Sequence, residues 1–152
     1  MGFSSGREGS ENRYVTTMAE ALRGAGVCTA RFNFRSTGFF SQSGDMGDYV
    51  NAMEQMRERL GCHGGFLHAG YSYGSAMSHG AMHAAKAAGY RVLGYIGLAP
   101  PWSVWLKFIF VGDQYSSQWS MSRDVHVPRT FIFGAADDWC SKKKRDKYAK
   151  FF

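Results

Sequence analysis

The stretch Phe66-Leu67-His68-Ala69-Gly70-Tyr71-Ser72-Tyr73-Gly74-Ser75-Ala76 constrains this chain more than any other. A short apolar run ends in Gly-x-Ser-x-Gly, and an alanine-rich segment follows at once. The pattern predicts a strand, a sharp turn and a helix. Strand and helix pass close to each other at such a turn, so the positions flanking the serine must be small. Gly70 and Gly74 meet that requirement. The turn would lift the Ser72 hydroxyl to the end of the sheet, at a helix N-terminus whose dipole favours developing negative charge.

The flanks predict alternating helices and strands. Ser10 or Asn12 can cap a first helix, with Val15, Met18, Ala19 and Leu22 on one face and Gly24 and Gly26 at its end. Val27 to Phe34 is rich in β-formers and leads into a polar glycine loop. Asp45 caps a second helix that presents Val50, Met53, Met56 and Leu60. After the turn, Ala76, Ala81, Ala84, Ala85, Ala87 and Ala88 let the helix lie close against a sheet. Val92 to Leu98 is the next strand, stopped by Pro100-Pro101, and Thr130 to Phe133 is the last. Ser141 caps a final basic helix. Helices between strands predict an α/β fold, with a mainly parallel sheet covered on both faces. Residues 101–126, aromatic and irregular, read either as a short cap over the site or as a loop packed on the core.

At 152 residues this is one domain, and no apolar run approaches the roughly 20 residues of a membrane span. No basic-then-apolar leader opens the chain, so a cytoplasmic location is expected. The net charge of +6 does not predict nucleic-acid binding. Most of it comes from Lys142, Lys143, Lys144, Arg145, Lys147 and Lys150, which read as the solvated face of one helix. Cys28, Cys62 and Cys140 are odd in number and scattered, suiting neither a disulfide framework nor a zinc site; they are expected as reduced thiols.

A nucleophilic serine needs a base to take its proton and an acid to orient that base. Asp137 follows the Thr130 strand, so the topology brings it to the same sheet edge as Ser72; Asp138 is its fallback. The histidines fit poorly. His126 precedes its strand and belongs at the opposite edge, and His63 is a loop residue. His68 lies within the strand and is expected as a satisfied core histidine. His79 and His83 are one helical turn apart, but Gly80 stands where a zinc-protease motif needs glutamate.

Around Ser72 the sequence resembles the α/β-hydrolase superfamily, in particular its small serine esterases and dienelactone-hydrolase-like members. The resemblance runs from Gly2 to about Trp139. Met1-Gly2-Phe3 is similar to the family's His-Gly-x oxyanion turn, Arg31-Phe32-Asn33-Phe34-Arg35 to its strand before a glycine loop, and Gly134-Ala135-Ala136-Asp137 to its acid turn. It implies a serine hydrolase for a small ester or related acyl substrate, with no cofactor. Ser72 would be the nucleophile, Asp137 the acid, and the Tyr73 and Phe3 N–H groups the oxyanion donors. The chain departs from the family in two places. Met1 replaces the oxyanion histidine, and no histidine follows Asp137, where the family's order puts the base. Beside the family this reads as a core incomplete at both ends, slow on its own and prone to self-association through an uncovered sheet edge. The rival expectation is a hydrolase-like domain without catalysis that binds a partner.

Overall fold

The computed structural model describes residues 11–34, 45–100, 126–136, 140 and 142–149. Helix α1 (Arg13–Gly24) begins where Asn12 accepts the Tyr14 N–H at 3.0 Å, satisfying one of the donors a helix start leaves over. It buries Val15 and Ala19, with Met18 and Leu22 packed beside them, as its periodicity predicts. Helix α2 (Asp45–Leu60) has the expected span but a different inward face. Tyr49, Met53 and Met56 are buried, Val50 only partly, and Leu60 is 58% exposed. The stripe is therefore i, i+4, i+7 starting from a tyrosine.

Strands β1 (Phe66–Tyr71), β2 (Val92–Leu98) and β3 (Arg129–Ile132) form a parallel sheet in the order β1-β2-β3. Helix α3 (Tyr73–Ala87) joins β1 to β2. The last strand starts one residue earlier than the sequence suggests. Side-chain alternation along β1 divides the core. Leu67, Ala69 and Tyr71 meet α1 on one face. Phe66 joins α2 on the other, and the His68 ring stacks on Tyr49. The result is an α/β arrangement with helices on both faces of a small parallel sheet.

The segment 27–34 is a correction: it is not a strand. Its β-rich composition expresses a preference for a half-buried pleated surface, which becomes a strand only when a neighbour pairs with it. Here Ala30, Phe32 and Phe34 pack inward instead. Phe32 and Phe34 lie against Tyr49 with ring centroids 4.8 and 5.8 Å away, and Ala30 joins the Met53–Met56 cluster. Among the described residues, β1 pairs with β2 alone.

Helix α4 (Lys142–Ala149) carries the basic run, and Arg145 ties it to the end of β3 by donating to the Gly134 carbonyl at 2.9 Å. No helix among the described residues is long and apolar enough to cross a membrane. The aromatic segment 101–125 and Ser141 lie outside the described residues.

Candidate functional site

Ser72 sits between the end of β1 and the start of α3 with φ 50° and ψ −119°. A side chain with a β-carbon rarely adopts that conformation, and holding it there costs about 1–3 kcal/mol. The surroundings fix it. The Ser72 N–H donates to the Leu98 carbonyl at 2.9 Å, which carries the β1–β2 ladder one residue past the strand. The Ser72 carbonyl accepts from the Ser75 N–H at 2.9 Å and from the Ser75 hydroxyl at 2.6 Å. Gly70 faces the first turn of α3 so closely that a β-carbon there would overlap the Gly74 carbonyl and the Ser75 nitrogen.

Two tyrosines from other elements pin the same helical turn. Tyr49 of α2 places its hydroxyl 3.1 Å from the Gly74 carbonyl and 2.5 Å from Ser78 Oγ, and Ser78 itself donates to that carbonyl at 2.6 Å. Tyr95 of β2 donates to the Ser75 carbonyl at 2.9 Å, both residues being buried. Gly97 leaves the space that the Tyr95 ring occupies. Three carbonyls of the turn, those of Ser72, Gly74 and Ser75, thus each receive a side-chain hydroxyl. In a buried setting such bonds hold a geometry firmly, because breaking one strands a polar group. Sequence reasoning missed both tyrosines. The available signal was Tyr49 at helical spacing from Met53 and Met56, and Tyr95 on the strand's inward alternation.

A second strained residue lies on this edge. Ala99, just past β2, has φ 43° and donates its N–H to the Ile132 carbonyl at 2.8 Å. Both strained residues thus lie at the carboxyl ends of adjacent parallel strands, the edge at which open α/β sheets in general bind ligands. Tyr73 is the first residue of α3, so its N–H is not used by the helix ladder and lies at the positive end of the helix dipole. The Ser72 side chain is half-buried and makes no capping bond to α3.

No histidine ring among the described residues hydrogen-bonds Ser72. His63 and His126 are exposed, and His126 precedes β3 at the far edge, as expected. His83 is half-buried on α3. The side chain of His79, together with Phe3, Asp137 and Asp138, lies outside the described residues. Among the described residues, no group of three or more His, Cys, Asp or Glu is placed to hold a metal ion.

His68 corrects a second expectation. It is a core residue, 2% exposed, but neither ring nitrogen has a hydrogen-bond partner. Its ring stacks on Tyr49 at 5.8 Å and lines a cavity of about 10 Å³ with Ala52, Met53, Met56, Phe66 and Leu67. Burial lowers its pKa from the usual 6.5 to about 3. A group that holds a proton so weakly is a poor base for Ser72 near neutral pH.

The same burial makes stability pH-dependent. The unfolded chain binds a proton at His68 below about pH 6.5, whereas the folded chain refuses it until about pH 3. Stability is fully present above pH 6.5 and declines by about 1.4 kcal/mol per unit as the pH falls through that window. Urea midpoints should show His68 costing about 2 kcal/mol at pH 5 relative to pH 7. His68→Phe should remove that part of the slope and raise stability at pH 7, since no stranded imidazole remains. An unchanged slope in the variant would show that His68 is not the responsible group.

The chain matches no protein-family model, no curated protein and no solved structure.

Proposed function

We propose that this chain is a serine hydrolase of the α/β-hydrolase type, in which Ser72 attacks a small ester or related acyl substrate. The observation that carries the reading is the backbone of Ser72: a strained serine between the end of a parallel strand and a helix N-terminus, braced by Gly70 against Gly74. Strain at a residue able to act as a nucleophile favours chemistry there over a purely structural turn. Asp137 is assigned as the orienting acid, and the N–H groups of Tyr73 and Phe3 as oxyanion donors, from the resemblance set out above.

In this mechanism the Ser72 oxygen bonds to the substrate's carbonyl carbon as its proton leaves for a base. The carbonyl oxygen becomes an anion beside the Tyr73 N–H, where the α3 dipole lowers its energy. The tetrahedral species expels the alcohol, which takes up a proton, and leaves an acyl group on Ser72. Water then releases the acid by the same steps. The chemistry needs no cofactor.

The base is the weak link: no histidine among the described residues bonds to Ser72. That observation favours a second reading, a hydrolase-like domain that binds a partner without turning over substrate. Added imidazole separates the two. The hydrolase reading expects slow p-nitrophenyl acetate hydrolysis by the full chain. Imidazole should raise it at least about tenfold, after subtraction of the same measurement on Ser72→Ala. Identical rates for the two proteins, with and without imidazole, would favour the binding domain.

A further inference from the structure

The segment 27–34 has the side-chain alternation of a strand without the pairing. Ala30 packs with Met53, Met56 and Phe66, and Phe32 and Phe34 pack on Tyr49. These even-numbered residues all face the layer of α2 and α3. Between them, Arg31 reaches the opposite layer, donating to Thr16 Oγ1 of α1 at 2.8 Å. Side chains that alternate between two helical layers place the backbone in the plane of the sheet. Ala30 lies level with Phe66 at the start of β1, and Phe34 lies against Tyr73 just past its end. The segment therefore runs the same way as β1.

The two backbones turn complementary edges toward each other. The N–H groups of Phe66 and Ser72 donate toward β2, to the carbonyls of Arg91 and Leu98. Alternation then directs the N–H and C=O of Leu67 and Ala69 to the far edge, away from β2. Ala30 and Phe32 share a face and a chain direction with Phe66 and His68, so their backbone groups point the same way, toward β1. Yet among the described residues β1 pairs with β2 alone, and no backbone hydrogen bond joins it to 27–34. Helix α2 roofs this gap: Met53 and Met56 share a cluster with both Phe66 and Ala30, and the Tyr49 ring meets both His68 and Phe32. Helix α1 floors it, through Val15 and Ala19 against Ala69 and through Thr16 to Arg31. The roof also holds the cavity of about 10 Å³ beside His68, a ring that is 2% exposed with both nitrogens unpartnered. Leu67, whose side chain packs toward α1, lines that cavity too, which puts it at the level of the strand.

We propose that an extended segment of a partner polypeptide inserts between β1 and 27–34 as a strand and presents a serine or threonine hydroxyl to His68. Only an extended backbone answers two facing rows of N–H and C=O groups. The roof of Met53 and Met56 and the floor of Met18 and Leu22 call for a strand that is apolar on both faces. The position beside His68 is the exception. There the cavity has room for about one polar atom, and a hydroxyl can both donate and accept, so it suits either nitrogen of a neutral imidazole. The site leaves the chemistry of Ser72 aside and stands or falls without the hydrolase reading.

The test titrates the full folded chain, isotope-labelled, with a valine-rich peptide that carries one central serine and glutamates at its ends for solubility. Amide exchange is followed by NMR. In the free chain the amides of Ala30, Phe32, Leu67 and Ala69 should exchange faster than those directed at β2. The peptide should slow all four together by at least about tenfold, with one peptide bound per chain by sedimentation. A version with proline at alternate positions has no N–H to give there and should not bind. Replacing the serine by alanine should weaken binding about threefold to tenfold, and His68→Phe should remove that difference. Absence of protection, protection on one flank alone, protection confined to β3, or equal binding of the proline version would overturn the proposal. So would a serine preference that survives His68→Phe. Protection of the same four amides that grows with protein concentration, without peptide, would assign the edge to a second copy of this chain and overturn it as well.

Discussion

Gly70→Ala should destabilise the protein by about 3 kcal/mol or more, or prevent folding outright. The added β-carbon would overlap the Gly74 carbonyl and the Ser75 nitrogen, which are backbone atoms and cannot swing aside as a side-chain tip can. Nor can the helix simply retreat. Its first turn is held by Tyr49 and Ser78 on the Gly74 carbonyl and by Tyr95 on the Ser75 carbonyl, so withdrawal would break buried hydrogen bonds. Gly24→Ala supplies the control. At the last residue of α1 a β-carbon meets nothing within 4 Å, and alanine is the better helix former, so stability should hold or rise by up to about 1 kcal/mol. Urea unfolding of the two variants beside the parent checks both signs at once. A loss below about 1 kcal/mol at Gly70 would mean that strand and helix do not approach as closely as described.

Ser72→Gly and Ser72→Ala should part company in stability while agreeing in reactivity. Glycine adopts φ 50° without a β-carbon penalty, so it releases the strain of about 1–3 kcal/mol at this position. Part of that gain, about 0.5–1 kcal/mol, is lost again to the greater freedom of glycine in the unfolded chain, which leaves a net rise of roughly 1–2 kcal/mol. Alanine keeps the β-carbon and the strain, so its stability should stay within about 0.5 kcal/mol of the parent. Neither variant has an oxygen to acylate, and both should lose the imidazole-assisted ester hydrolysis entirely. In a complete triad, loss of the serine costs a factor of about 10⁶ in turnover. The drop here is smaller because no histidine among the described residues is bonded to Ser72 as a base. Stability that rises on Ser72→Gly alone, together with activity lost in both, is the signature of strain kept for function. Equal stability of the two variants would contradict the backbone conformation assigned to Ser72.

What the sequence carried is local, and the particular residues show why. Gly-x-Ser-x-Gly announces its own turn because the glycines, the strand before and the helix after lie within one short stretch. Asn12 announces α1 in the same way, through a bond to the residue two positions on. Val27 to Phe34 failed because strand formation needs a partner that lies elsewhere in the chain, and propensity does not report whether one is there. The α2 face was read from Val50 and Leu60 because a tyrosine counts as half-polar, although Tyr49 is the residue that turns inward and reaches Gly74. Alternation placed His68 in the core, but hydrogen-bond partners are a three-dimensional fact, and the ring has none.

Covalent labelling of the folded full chain tests most directly whether Ser72 is a reactive nucleophile. An alkyl fluorophosphonate reacts with a serine activated for acyl transfer, and digestion followed by mass spectrometry locates the adduct. One adduct per chain is expected, on the peptide that contains Ser72, formed faster in the presence of imidazole and absent from Ser72→Ala. Label spread over other serines, or equal labelling of the Ser72→Ala protein, would contradict it.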